Sequence, residues 1–374
     1  MRDQVRWAGL VAWLTLLFLL QPLMLQAEPL ELDFSGYIAA GVDHYGAFYD
    51  EKGEPHTTHG VLRNAKLELE LDWGRFWSAE IDGSYEVRDD KREAELGDAY
   101  VQYETSDRYK ITLGRFKEPF GFERLSSYST INTSERSLVT SAFAPGRSQG
   151  LTVGRFRKST TWVLGVFTNE PEGESTRAVT GRYTLAPIRA DGRVLHLGIA
   201  ASWRDLGDER FQIKERGEVF SADNVIRSPR FDAREGTLLG LEGAWLSGRL
   251  SLVAEAMAQQ VTRVNGEHWW FTGAYVQAGV FLTNDHRRYK RGEFKRPEPT
   301  SRAGAIELVA RYSAIDLQDQ KLGAQAEVAL LGANYYWDDR LQLRLNWLMP
   351  GIEGNVLTPE PEGNALTFRV LFRY

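Results

Sequence analysis

Strict two-residue alternation, recurring along almost the whole chain, is the feature that leaves the fewest folds open. In residues 64–73, NAKLELELDW, Ala65, Leu67, Leu69, Leu71 and Trp73 share one parity, and Asn64, Lys66, Glu68, Glu70 and Asp72 share the other. Successive side chains of a strand point to opposite faces, so one face here is wholly apolar and the other wholly polar. Trp77, Ala79, Ile81 and Tyr85 repeat the pattern against Ser78, Glu80, Asp82, Ser84 and Glu86, as do Leu341, Leu343, Leu345 and Trp347 against Gln342, Arg344 and Asn346. One such strand fits a soluble sandwich equally well. A barrel in lipid has to carry the alternation round its whole circumference, because every backbone group must be paired and no edge left open.

The pattern predicts sixteen strands, near 33–48, 61–73, 75–87, 95–104, 108–116, 148–157, 160–168, 177–187, 193–204, 235–246, 249–262, 269–283, 302–313, 325–336, 340–349 and 365–374. Most have about the 9–11 residues that a tilted membrane strand needs. Their connections alternate in length. Tight ones fall at Gly74, Ser106, Lys158, 187–192, Gly248 and Asp338-Asp339, and long or polar ones at 49–60, 88–94, 117–147, 169–176, 205–234, 314–324 and 350–364. Short turns on the periplasmic side and long loops outside are the habit of outer-membrane barrels. Residues 284–301, NDHRRYKRGEFKRPEPTS, break the rule, being long and basic where a tight turn is expected. They either line the periplasmic vestibule or form a solvated turn.

The two ends agree with export to that membrane. Arg2 and Arg6 precede an apolar run from Trp7 to Leu20, read as a signal peptide over residues 1–27, cut after Ala27, which leaves 28–374 as one barrel domain. Without that leader the chain carries 43 basic and 50 acidic residues, which excludes a basic nucleic-acid binder. No cysteine is present, so neither disulfides nor a zinc-thiolate site is expected. The chain stops on an amphipathic strand, LTFRVLFRY, in which Phe368, Val370, Phe372 and Tyr374 alternate with Thr367, Arg369, Leu371 and Arg373. Trp73, Trp77, Tyr103, Trp245, Trp269, Trp270, Tyr336, Trp337 and Trp347, near strand ends, fit interfacial girdles.

GRFKEPFGFE at 114–123, SERS at 134–137 and AFAPGRSQG at 142–150 resemble the phosphate-selective porin O and P family, as do FLTNDHRRYKRGEF at 281–294 and ELVARYS at 307–313. The likeness extends in order over nearly all of the mature chain. It implies a sixteen-stranded antiparallel transmembrane β-barrel in the bacterial outer membrane, assembled as a homotrimer, with the third external loop folded into the lumen. It also implies a row of pore arginines, which is thinly represented here.

Residues 117–147 connect the fifth and sixth strands and so form that third loop. A connection of about 30 residues is functional more often than incidental. Pro119-Gly121 and Pro145-Gly146 bend the chain at each end, and Gly114 on the lumen parity is expected to leave room for it. Between the breaks lie Ser126, Ser127, Ser129, Thr130, Asn132, Thr133 and Ser134, hydroxyls and amides that can replace part of an ion's hydration shell. From 110 to 158 nine basic residues face three acidic ones. Arginine offers a planar fork that matches phosphate oxygens, and lysine a mobile point charge.

The candidate constriction and anion-binding set is therefore Lys110, Arg115, Lys117, Arg124, Ser126, Ser127, Ser129, Arg136, Arg147 and Arg344, with small anions of the phosphate class as permeants and outer-membrane lipid outside. Two readings stay open. Either these cations are free to meet an anion, or Glu118, Glu123 and Glu135 pair with Lys117, Arg124 and Arg136 and cancel them. The lumen parity of strands two to four, with Glu68, Glu70, Asp72, Glu80, Asp82, Glu86 and Asp98, instead favours cations or no selectivity.

No cofactor, metal or catalytic residue is expected. GRSQG at 146–150 matches a hydrolase elbow with Ser148 as nucleophile, but it enters an antiparallel hairpin rather than a strand-to-helix turn. His56 and His59 lack a carboxylate at ligand spacing, and nothing in the sequence pairs His196 with a nucleophile. A binding role for loops 205–234 and 350–364 is the remaining alternative. A barrel of sixteen strands, however, is too wide for its wall side chains to fill.

Overall fold

The computed structural model describes residues 30–54, 56–88, 91–168, 177–354 and 363–374. The expected leader, the external connection 169–176 and most of the last external loop lie outside these residues. Twenty strands follow one another: β1 (Leu30–Gly46), β2 (His56–Trp73), β3 (Trp77–Arg88), β4 (Lys91–Glu104), β5 (Tyr109–Lys117), β6 (Arg147–Phe156), β7 (Thr160–Thr168), β8 (Arg177–Ala190), β9 (Arg193–Phe211), β10 (Lys214–Glu215), β11 (Ile226–Arg227), β12 (Phe231–Ser247), β13 (Leu250–Arg263), β14 (His268–Phe281), β15 (Arg288–Lys290), β16 (Glu293–Lys295), β17 (Ala305–Asp316), β18 (Ala324–Tyr336), β19 (Leu341–Gly354) and β20 (Ala365–Arg373).

All but β10, β11, β15 and β16 form one closed antiparallel barrel, each strand pairing with the next and β20 returning to β1. These are the sixteen strands that the alternation predicts. Several run further than the apolar pattern does. Residues 205–211, polar apart from Leu206, Gly207 and Phe211, continue β9 and pair with the start of β12, because a ladder that leaves the hydrocarbon needs backbone partners and no continuous apolar face.

Parity separates the two faces throughout. Leu239 and Leu241, Leu164 and Val166, and Phe368 and Phe372 stand exposed on the outside, while Thr367, Arg369 and Leu371 on the alternate positions of β20 are buried. Aromatic pairs gather at the tight turns: Trp73 stacks on Trp77 with ring centroids 5.8 Å apart, and Tyr103 lies 4.9 Å from Trp77. Such clusters at strand ends match the amphipathic rings that sit at headgroup level, whereas Trp269 and Tyr336, expected in the same girdles, are buried on the inward side.

Inside the wall lie three connecting segments. Residues 118–146 carry two short helices, α1 (Phe122–Leu125) and α2 (Leu138–Phe143). Gly121 takes φ +72°, a left-handed value that a side chain rarely adopts, and the chain turns there. The backbone N–H groups of Phe122 and Glu123 then donate to Glu255 on β13 at 2.7 and 2.8 Å. Across the barrel, Ser134 N–H donates to Asn346 on β19 at 2.6 Å and Asn132 Nδ2 to Glu307 on β17 at 3.0 Å. The segment thus rests on the polar faces of strands far from its own roots.

Residues 212–230, with the β10–β11 hairpin, fold against it rather than outward: Leu138 N–H donates to Glu218 at 2.9 Å. Together these inserts and the wall bury Phe48, Tyr49, Phe120, Phe122, Leu138, Val139, Val225, Ile226, Leu238 and Phe271 in one apolar cluster. The barrel interior therefore has its own core.

Residues 282–304 settle the two readings of the basic turn. They form the β15–β16 hairpin, with Phe294 buried against Phe122 at 4.9 Å between ring centroids and Arg287 buried on Glu307 at 2.9 Å. The segment is an inward-packed structure and not a solvated turn. Gly114 also needs correction: a Cβ there would meet Ala99 O at 2.3 Å and Tyr100 Cα at 2.6 Å, so its small size admits the neighbouring strand β4 rather than the loop.

Candidate pore

With the inserts against β12–β20, an open cavity of about 1200 Å³ remains beside β1–β7, floored by the β15–β16 hairpin. Its walls bring together six of the ten predicted residues: Lys117, Arg124, Ser127, Ser129, Arg136 and Arg147. The other four are held elsewhere. Lys110 donates to Gln102 at 2.6 Å and pairs with Glu104 at 3.1 Å, while Arg115 donates to the carbonyls of Leu96 and Gly97 and pairs with Glu95 at 3.2 Å. Ser126 Oγ donates to Phe122 O at 3.0 Å. Arg344, wholly buried, clamps the loop from β19 by donating to Thr133 O at 3.1 Å and Tyr128 O at 3.2 Å.

The loop carboxylates do not pair with their sequence neighbours. Glu118 receives Arg204 of β9 on both oxygens at 2.9 and 3.0 Å, together with Ser148 at 2.8 Å and Thr180 at 2.6 Å. Glu123 meets Arg311 of β17 at 3.1 Å, and Glu135 meets Arg63 of β2 at 2.7 Å. Each carboxylate is spent on a wall arginine. Neighbouring side chains point apart where β5 ends at Lys117–Glu118 and diverge by roughly 100° on α1 at Glu123–Arg124, so a glutamate that faces the wall turns its neighbouring cation away from it.

Lys117, Arg124 and Arg136 are consequently held by carbonyl dipoles. Lys117 Nζ donates to Leu125 O and Ser126 O, both at 3.2 Å. Arg136 donates to Glu123 O at 3.3 Å and Ser126 O at 2.9 Å, and Arg124 to Thr140 O at 3.0 Å. Among the described residues none of the three has a carboxylate within ion-pair distance. Burial, and then Arg136, pull the Arg124 guanidinium down to about 10, and burial also lowers Arg136 against the raising influence of Glu123. Desolvation disfavours the charged form, and an anion placed nearby relieves that cost.

On the opposite wall the acidic residues have partners. Lys66 lies 2.5 Å from Glu68 and 2.8 Å from Asp82, Arg63 pairs with Glu86 at 2.5 Å, and Arg147 forks onto Asp98 at 2.9 and 3.1 Å. Tyr100 donates to Glu80 at 2.5 Å. Carboxylate oxygens of Glu68, Glu80 and Asp82 lie within 4.8 Å of one another, as metal ligands would, but the Lys66 ammonium already bonds two of the three. Glu70 and Asp72 do not line the cavity.

The wall cations Arg63, Lys66 and Arg182, absent from the candidate set, also lie on the cavity surface, as do Arg288, Lys290 and Arg291 of the basic segment for which a vestibule lining was one of the two expectations. Lys66 and Arg182 were within reach, since both sit on the polar parity of predicted strands. His196 is buried, bonded to Glu242 at 3.0 Å and to Tyr289 of the hairpin at 2.7 Å. His59 stacks on Tyr45, and His56 on His44. Ser148 holds Glu118 at the head of β6.

A protein-family model described as phosphate-selective porin O and P matches residues 38–374. An uncharacterized protein of Caulobacter vibrioides is 28% identical over 319 residues, 78% of this chain and 63% of that protein, so the chain spans less than two thirds of that relative. Porin O of Pseudomonas aeruginosa is 24% identical over 353 residues, covering 82% of this chain and 80% of that one. Among solved structures the anion-selective porin from Comamonas acidovorans superposes with a TM-score of 0.62 at 12% identity, over 92% of this chain and all of the other. That likeness concerns the fold.

Proposed function

This chain belongs to the phosphate-selective porin O and P family, and from that premise we propose that it is a passive outer-membrane channel whose in-lying third loop narrows the pore and favours small anions. Oxyanions of the phosphate class are the proposed permeants, and a homotrimer the proposed assembly, as the family resemblance implies. The observation that carries the anion reading is the absence, among the described residues, of a carboxylate on Lys117, Arg124 or Arg136. The acidic wall opposite is engaged by Lys66, Arg63 and Arg147. Cations held by weak carbonyl contacts attract an anion in a narrow throat without trapping it.

A second reading, a nonselective or cation-favouring pore, draws on six carboxylates of strands β2–β4 that line the cavity, Glu68, Glu80, Asp82, Glu86, Glu95 and Asp98. The reversal potential of the purified protein in a planar bilayer under a potassium chloride gradient separates the two. Its sign favours chloride on the first reading and potassium on the second. No conductance at all would refute both and point to an enzyme or binding role.

A further inference from the structure

Arg296 follows β16 at the foot of the inward hairpin and is 5% exposed. None of its three side-chain nitrogens has a hydrogen-bond partner among the described residues. The Tyr336 ring lies 6.0 Å from the guanidinium. A buried guanidinium with all its donors unused is a costly arrangement unless a partner arrives.

Four nearby carboxylates are already committed, and Asp339 is a further acidic residue on the cavity wall. Glu298 pairs with Arg288, Glu293 with Lys295 at 2.6 Å, and Glu307 with Arg287 at 2.9 Å. Asp338 accepts the backbone N–H groups of Arg340 and Leu341 at 2.8 and 2.7 Å. The charged groups that act on it most strongly are cationic. Burial first, then Arg344 and Arg373, pull Arg296 down to about 10, and Arg344 Nε is itself buried without a partner. Arg296, Arg340 and Arg373 all form part of the cavity wall.

We propose that Arg296 is the centre of a separate oxyanion-binding station at the short-turn end of the pore, distinct from Lys117, Arg124 and Arg136. A tetrahedral oxyanion in the cavity meets the guanidinium by a rotation of its side chain and receives two parallel N–H bonds, a geometry that lysine cannot copy. Arg373 and Arg340 add charge at the rim. The inference deepens the channel reading and rests on it, because the ligand arrives through the pore.

The test compares the wild type with Arg296→Gln and Arg296→Lys in oriented planar bilayers, with inorganic phosphate added on the periplasmic side. The quantity read is the phosphate concentration that halves the chloride current. It is expected to rise about tenfold in Arg296→Gln, or ~1.4 kcal/mol, and less in Arg296→Lys, while the reversal potential stays anion-favouring in all three. An unchanged half-blocking concentration with an anion-favouring potential overturns the station and leaves the channel reading standing. A cation-favouring wild type overturns the channel reading instead. Wild-type crystals soaked in selenate decide independently of any variant's folding: an anomalous selenium peak against the Arg296 guanidinium supports the station, and ordered water alone there refutes it.

Discussion

Glu118 and Arg204 form a two-pronged ion pair, at 2.9 and 3.0 Å, between the root of the in-lying loop and β9, with the carboxylate fully shielded from solvent. Eighty-six residues separate them in sequence, and the pair fixes where the loop leaves the wall.

Removing one partner of such a pair strands a charge in a buried site. Arg204→Ala is expected to destabilise the barrel by about 3–5 kcal/mol, and replacing both residues by apolar ones of similar size by much less. Urea unfolding in detergent micelles measures both. Losses below about 1 kcal/mol in the single variant would show that the pair does not anchor the loop.

The three cations held only by carbonyls should carry the selectivity. Glutamine at Lys117, Arg124 and Arg136 together is expected to swing the potassium chloride reversal potential toward cations, because the carboxylates opposite then dominate. Lys110→Gln should leave it unchanged, since Lys110 is absorbed by Gln102 and Glu104. Equal effects of the two changes would contradict the assignment.

The outward apolar face is expected to meet lipid. Leu241 is 58% exposed on β12, and Leu241→Arg should cost about 2–4 kcal/mol if it lies near the bilayer midplane. Ser251→Ala, on the inward parity of β13, should change stability by far less. Assembly yield in vesicles reports the difference.

Glu215, on the β10–β11 hairpin, has its carboxyl pushed up from 4.5 to about 8, by burial above all and against the influence of Arg124 and Arg216. A carboxyl raised on folding binds its proton more tightly when folded. Its stabilising contribution is complete below pH 4.5 and is lost as pH rises through 8. Hydrogen exchange in residues 212–230, corrected for intrinsic rates, should therefore show easier opening at pH 9 than at pH 5, and Glu215→Gln should abolish that difference.

Phe294 of the hairpin packs on Phe122 of the loop, joining the two inserts that approach from opposite ends. Phe294→Ala is expected to remove about 0.5–1.5 kcal/mol of aromatic pairing beyond area burial, raising single-channel conductance and its noise. Unaltered open-channel noise would mean that the inserts hold their positions independently.

How much of this was legible in the sequence varies with the range of the interaction. Leu67, Leu69 and Leu71 against Glu68 and Glu70 mark a membrane strand without any knowledge of their neighbours. Arg115 and Lys110 had the right charge and the right segment, yet each is taken by β4, a partner that composition does not reveal. Arg344 has the charge and parity of a wall cation facing the pore, yet it clamps the carbonyls of Tyr128 and Thr133, more than 200 residues away.

Alternation by itself determined the sixteen strands, their inward and outward faces and the two ends of the barrel, because strand geometry is local and repeats every two residues. Only the tertiary structure decided that Glu123 pairs with Arg311 rather than with Arg124. It also decided that residues 282–304 turn inward and that Lys117, Arg124 and Arg136 are left to carbonyl oxygens. Those choices depend on which surfaces barrel closure brings together through space, and no periodicity along the chain encodes that distance.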